Sequence, residues 1–314
     1  MKRGSVCVKI VSRIFKEKLQ FSTKKDDARF LGYLLKEVKW LKKFEGMLFC
    51  TDLDGTLYGN DKTVSKRNLD AIEYFKSQGG LFTFITGRVP QSSGEIAKLI
   101  KPNAPFGCVN GGGIFDNNAN KYLWKVPLDY GAFELVKEVE QKLPQMGIQF
   151  STEKGVYFYK DNKAMELFRD ITGLPYKTCH FEDCKENFMK IVFANMEENQ
   201  MQSLIELLNS HPRAKEFEFV RSAKILYEII PKGVSKGKVL SKMAELLGID
   251  VKKTIAVGDY NNDISMIKTA GLGFAVANAV DEVKAVADYI TVRNDENAIA
   301  AIIEGLDKGI YKIN

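Results

Sequence analysis

Short, continuously apolar runs recur along the chain from Met47 onward, and several are followed by stretches with helical spacing. The runs are Met47–Cys50, Leu81–Ile85, Lys224–Ile230, Thr254–Val257 and Phe274–Val276, with helical patterns such as Ser65–Gln78 and Lys236–Leu247 between them. Apolar strands interleaved with helices are what a parallel sheet covered on both faces requires. The pattern predicts an α/β fold: a doubly wound, Rossmann-like parallel sheet core. Between Val126 and Ser222 the character changes. Helices are expected over Tyr130–Leu143, Lys163–Thr172 and Glu197–Ser210, and strands over Ile148–Ser151, Val156–Lys160, Phe188–Ala194 and Glu216–Val220. This stretch looks like an inserted α+β cap. It offers no catalytic cluster, so its expected role is to cover a site and select substrate. The expected division is a core of residues 47–126 plus 223–314, a cap of 127–222 and an N-terminal extension of 1–46.

Charge changes the view of that extension. The chain carries a net +6, but residues 1–46 hold 13 Lys/Arg against 5 Asp/Glu, and the remainder holds 33 against 35. The body is near neutral and presents no basic surface for nucleic acid. Within the extension Leu31, Leu34, Leu35, Val38 and Leu41 fall on one helical face. Three readings stay open: a helix packed on the body, residues upstream of a start at Met47, or a basic amphipathic surface anchor or targeting peptide. No apolar run reaches the roughly 18 residues of a membrane span, and Lys9 and Arg13 interrupt any secretory-signal pattern. Five scattered cysteines are too few for a disulfide framework in 314 residues. A reducing cytoplasm is the expected location.

The chemistry lies at the ends of the apolar runs. The first ends in Thr51-Asp52-Leu53-Asp54, the second in Thr86-Gly87-Arg88 and the fourth in Gly258-Asp259. Ligands of open parallel sheets bind beyond these carboxyl ends. In Asp52-Leu53-Asp54-Gly55-Thr56, two carboxylates two residues apart repel unless a cation or proton is shared, and a hard divalent metal resolves the conflict. Gly55 permits the sharp turn. Gly258-Asp259-Tyr260-Asn261-Asn262-Asp263 adds a second acid pair about 200 residues away. Helix capping by Asp or Asn accounts for one of these residues, not for the pair. Lys236, in Gly233-Val234-Ser235-Lys236-Gly237, stands where a helix begins, a position that favours anions. Its placement makes sense if an anion lies beside it; in isolation, a solvated lysine in a lysine-rich chain is the alternative reading. Thr86-Gly87-Arg88 offers a hydroxyl and backbone amides to a phosphate.

These four motifs, in this order, resemble the haloacid-dehalogenase-like superfamily and, more narrowly, its Cof-type sugar-phosphatase-like branch. The resemblance runs from about Met47 to Ile310. It includes the softer matches Val109-Asn110-Gly111-Gly112, Gly271-Leu272-Gly273, Asn278-Ala279 and Ala287-Asp288-Tyr289. It implies a magnesium-dependent phosphoric monoester hydrolase. Asp52 would be the nucleophile and a metal ligand. Asp54 would be the proton donor and then the base, its backbone carbonyl touching the metal. Asp259 and Asp263 would complete the metal site. Thr86 and Lys236 would hold phosphoryl oxygens, with Asn262 nearby, and Arg88 and Asn110 would line the substrate pocket. The implied substrate is a small phosphorylated metabolite, either a sugar phosphate or a phosphorylated cofactor. Ala277 and Asn297 depart from glycines common in relatives, outside the catalytic set. A phosphomutase or phosphotransferase of the same superfamily and a non-catalytic, metal-dependent regulatory protein are the alternatives.

Other chemistries lack their parts. Cys7 and Arg13 have the spacing of a cysteine-phosphatase loop but no intervening glycine. Cys179, His180 and Cys184 lack a fourth zinc ligand. His180 and His211 are the only histidines, both in the insertion, which leaves a Ser-His-Asp hydrolase little to build on.

Overall fold

The computed structural model describes residues 42–175, 177–178 and 188–313, and Phe44–Asn314 forms one compact unit. The basic segment up to residue 41, with Cys7 and Arg13, and Cys179, His180 and Cys184 lie outside the described residues.

Along the chain the first strands and helices are β1 (Leu48–Thr51), α1 (Lys66–Ser77), β2 (Leu81–Phe84), α2 (Gly94–Ile100), β3 (Phe106–Cys108), β4 (Gly113–Asp116) and β5 (Lys121–Lys125). There follow α3 (Ala132–Lys142), β6 (Gly147–Thr152), β7 (Val156–Lys160), α4 (Lys163–Thr172), β8 (Phe188–Ala194), α5 (Glu198–Ser210), β9 (Phe217–Ala223) and β10 (Leu226–Pro231). The last are α6 (Lys236–Leu246), β11 (Thr254–Gly258), α7 (Ile264–Thr269), β12 (Leu272–Ala275), α8 (Asp281–Lys284), β13 (Tyr289–Ile290) and α9 (Ala298–Asp307).

A five-stranded parallel sheet has the order β13-β12-β11-β1-β2. The chain leaves β1 toward β2 and returns on its other side as β11, so the winding reverses between β1 and β11. Side chains of each strand alternate between two buried layers. Phe49, Ile255 and Val257 join Ile72 and Phe75 of α1 and Ile299 and Ile302 of α9. Leu48, Cys50 and Ala256 join Val239, Leu240 and Met243 of α6 and Met266 of α7. Burial on both faces is why these strands read as uninterrupted apolar runs. Helix starts are set by side-chain caps: Ser65 accepts the Asn68 amide, and Ser235 accepts the Lys238 amide.

A second sheet, β7-β6-β8-β10-β9, is antiparallel throughout. One face carries Ile148, Phe150, Ile191, Phe193 and Ile229, packed with Leu135, Val136 and Val139 of α3 and Leu204 and Leu208 of α5. The expected run over Lys224–Ile230 is corrected here. It forms β10 of this antiparallel sheet, paired with β8 and β9, and does not join the parallel one. An apolar run has the same composition in either sheet, and only the Ala223/Leu226 hairpin pairing reveals its neighbours. A boundary at 222/223 would cut that hairpin, so the chain returns to the parallel sheet after Pro231. A small antiparallel sheet, β3-β4-β5, was not foreseen; Gly107 of β3 meets Ile85 through a single parallel bridge. Among the described residues no helix is long and apolar enough to cross a membrane.

Candidate active site

The polar groups predicted at the strand ends converge where the winding reverses, beyond β1 and β11. The Asp52 amide donates to Val257 O at 2.9 Å, which extends the parallel pairing one residue and directs the following turn over the sheet end. Gly55 has φ +79°, and a Cβ there would lie 2.4 Å from Asp259 Oδ2. Only glycine allows the turn to close this tightly on the second acidic loop. Thr56 Oγ1 then donates to Asp259 Oδ1 at 2.7 Å, and Asn278 Nδ2 donates to Gly55 O at 2.8 Å.

Lys236, fully buried at the first turn of α6, donates to Asp52 Oδ1 at 2.7 Å and to Asp263 Oδ1 at 2.6 Å. The anions expected beside this lysine are these two carboxylates. Asp263 Oδ2 accepts from the amides of Asp259 (2.9 Å) and Tyr260 (3.1 Å), which holds the acidic loop in shape. Gly258 fits beneath it, because a Cβ would meet Asp263 Cβ at 2.4 Å.

Three carboxylates, from Asp52, Asp259 and Asp263, bring one oxygen each within 4.8 Å of one another. Burial pushes the Asp52 carboxyl up to about 7, against the pull of Lys236 and with repulsion from Asp263 and Asp54 adding to the rise. Asp259 is raised well above the usual carboxylate range by burial, then by Asp263 and Asp52. Burial pulls Lys236 down, but Asp263 and Asp52 outweigh it and leave the ammonium raised. One lysine does not neutralise this cluster. An all-oxygen donor set with surplus negative charge fits a hard divalent cation such as Mg2+.

Asp54 points elsewhere. Both its oxygens are held by Arg88, Nε to Oδ2 at 2.8 Å and Nη2 to Oδ1 at 2.7 Å. Arg88 also lies over the Tyr58 ring, 5.3 Å from its centroid. Thr86, buried, accepts the Arg88 amide on its hydroxyl at 3.2 Å.

Asp52, Asp54, Thr86, Arg88, Asp259 and Asn262 line a cavity of about 300 Å³, the lower end of the range for small-ligand pockets. Asn110 is a correction: it does not line this cavity. At φ +53° and 1% exposed it lies behind the wall, donating through Nδ2 to Glu228 Oε2 at 2.7 Å and accepting from Asn262 Nδ2 at 3.0 Å. The orientations follow in order. A carboxylate only accepts, so Asn110 must present its NH2 to Glu228, its oxygen then faces Asn262, and Asn262 must present its own NH2. Asn262 is left with a buried Oδ1 that has no partner among the described residues. Its NH2 carries two N–H donors and Asn110 takes one of them, so the second is still available to an acceptor.

The antiparallel sheet supplies the opposite wall. Gln149, Ser151, Lys190, Ser222 and Glu228 line the cavity beside Val156, Phe168, Leu174 and Leu226. The insertion shows no catalytic cluster in sequence, and these polar residues were not singled out there. Lys190 in Phe188–Ala194 and Glu228 in Leu226–Pro231 are lone charges inside otherwise apolar runs, a signal that was available. They pair at 2.8 Å, almost fully buried.

The family model for haloacid dehalogenase-like hydrolases matches residues 49–303. The chain belongs to this family. A 5-amino-6-(5-phospho-D-ribitylamino)uracil phosphatase of Bacillus subtilis is 30% identical over 256 residues, covering 82% of this chain and 94% of its own. A second Bacillus subtilis protein of the same named activity is 27% identical over 298 residues, with 83% and 98% covered. The crystal structure of a haloacid dehalogenase-like hydrolase from Bacteroides thetaiotaomicron superposes with TM-score 0.73 at 25% identity, covering 82% of this chain and 98% of its own. The hydrolase thus sits among Cof-type phosphatases, as its motifs implied, and its enzyme class is phosphatase.

Proposed function

We propose that this hydrolase cleaves a small phosphomonoester in two steps through an aspartyl-phosphate on Asp52. The observation that carries the reading is the pairing of fully buried Lys236 with Asp52 and Asp263 beneath a cavity that Asp52 and Asp54 both line. Asp52 Oδ attacks phosphorus while the bond to the leaving oxygen breaks, and Asp54 gives that oxygen its proton. Water then attacks the phosphorus of the acyl-phosphate, Asp54 takes the proton back, and inorganic phosphate leaves with Asp52 regenerated.

Because Arg88 occupies both oxygens of Asp54, a phosphoryl group arriving at the guanidinium competes for it and frees the carboxyl for proton transfer. Thr86 and the backbone that follows it would orient phosphoryl oxygens. Lys236 keeps Asp52 aimed and neutralises part of the local charge. Asp52, Asp259 and Asp263, with the backbone carbonyl of Asp54, would hold Mg2+. When bound, the ion would offset the charge of the carboxylates and of the transferring group.

The antiparallel sheet with α3, α4 and α5, residues 127–231, would act as the cap that selects the leaving group. Relatives named for a phosphorylated ribitylamino-uracil, and a wall that mixes Lys190 and Gln149 with Phe168 and Leu174, support a sugar phosphate or phosphorylated-cofactor substrate. The test is phosphate release from a panel of phosphometabolites, with Mg2+, with chelator and with Asp52→Asn. Magnesium-dependent turnover lost in the variant is expected, and turnover that survives Asp52→Asn would remove the nucleophile from the scheme.

A further inference from the structure

The wall of the cavity opposite Asp52 contains an acceptor with nothing to accept. Gln149 on β6 is 1% exposed, its Nε2 donates to Ser151 Oγ at 2.8 Å, and its Oε1 has no hydrogen-bond partner among the described residues. Burying an amide oxygen without a partner is costly, and native folds rarely tolerate it without compensation. Turning the amide would not help, because an equally unpartnered NH2 would then replace the oxygen. Register places its neighbours on the same sheet face: Ser151 stands opposite Lys190, and Gln149 and Glu228 both stand opposite Val192. Lys190, 3% exposed, gives Glu228 Oε2 a hydrogen bond at 2.8 Å. An ammonium carries three N–H donors, so it retains capacity toward the cavity that it also lines. Glu228 is largely committed, since Oε2 accepts from Lys190 and Asn110 and Oε1 from Ser222.

We infer that Gln149 and Lys190 form a specificity site that reads hydroxyl groups on the leaving group of the substrate, Gln149 accepting a hydrogen bond from the hydroxyl and Lys190 donating one to its oxygen. A hydroxyl both donates and accepts, so it satisfies a carboxamide oxygen and an ammonium together. A flat ring without hydroxyls satisfies neither. The inference rests on the phosphomonoesterase reading and narrows its substrate to a polyol or sugar phosphate.

The test compares kcat/KM for sorbitol 6-phosphate with that for 4-nitrophenyl phosphate, in wild type and Gln149→Met. Methionine keeps the length of the side chain and removes its polar atoms. Loss of one buried hydrogen bond to a hydroxyl should lower the ratio of the two values by roughly 10- to 100-fold. An equal loss on both esters would mean that Gln149 acts through the fold, and the inference would be wrong. Titration of sorbitol 6-phosphate into Asp52→Asn and into Asp52→Asn/Gln149→Met supplies the second arm. Weaker binding in the double variant by a similar factor supports the site even if wild type hydrolyses neither ester, in which case only the catalytic reading fails. Absence of binding, or equal binding in both, overturns the site.

Discussion

Replacing Lys236 by methionine should expose how much of this site is held by one charge. The ammonium is fully buried between Asp52 and Asp263, at 2.7 and 2.6 Å. Removing one partner of a buried pair leaves uncompensated charge and costs about 3–5 kcal/mol. At roughly 2 °C per kcal/mol for a chain of this size, the melting temperature should fall by roughly 6–10 °C. The loss should depend on pH. Asp52 stands at about 7 in the fold against an ordinary value of 3.8. The folded state therefore binds more protons than the unfolded state between those values, and this group's contribution to stability falls as pH rises through the window. Without Lys236, which lowers it, Asp52 moves higher still. Near pH 8 the variant should show the full loss, and near pH 5, where Asp52 is neutral in both proteins, only a fraction of it. Urea melts of wild type and variant at the two pH values, without metal, measure this directly. An equal loss at both would show that Lys236 contributes by packing and that the electrostatic account is mistaken.

Three further outcomes are expected. Saturating Mg2+ at about 100 times its Kd should stabilise the wild type by about 2.7 kcal/mol near pH 8 and much less near pH 5, because protons compete for raised Asp52 and Asp259; equal shifts in thermal melts would place the ion elsewhere. Gly55→Ala, at φ +79° and 2.4 Å from Asp259 Oδ2, should cost about 1–3 kcal/mol and weaken Mg2+ binding, read by melts and by metal titration. Glu228→Gln should destabilise by about 3 kcal/mol or more by stranding Lys190, whereas Lys190→Met/Glu228→Gln, which keeps a polar partner for Asn110 and Ser222, should recover much of that in a double-mutant cycle.

Most of the parallel sheet was legible because its strands are buried on both faces, a condition visible as unbroken apolar runs such as Phe49 and Ile255 with their neighbours. The acid pairs were legible because two carboxylates at a strand end need an external reason. What stayed hidden depends on partners distant in sequence. The β10 run carries no mark of which sheet it joins. The family resemblance implied a pocket role for Asn110, yet Glu228, 118 residues away, draws its amide behind the wall. Arg88 gave no sign that it would clasp Asp54, because the clasp depends on how two loops meet.

The reversal of winding between β1 and β11 also sets a timetable. Thr56 and Asp259, joined by a hydrogen bond, are 203 residues apart, and Lys236 reaches Asp52 across 184. Such distant pairings are the slow ones in folding. On a ribosome, Asp52 and Asp54 emerge early and wait, as two mutually repelling acids, until the segment through Asp263 has been made. A nascent chain cut between Asp54 and that point carries the first acid pair without the second, so the carboxylate cluster closes only with the last third of the protein.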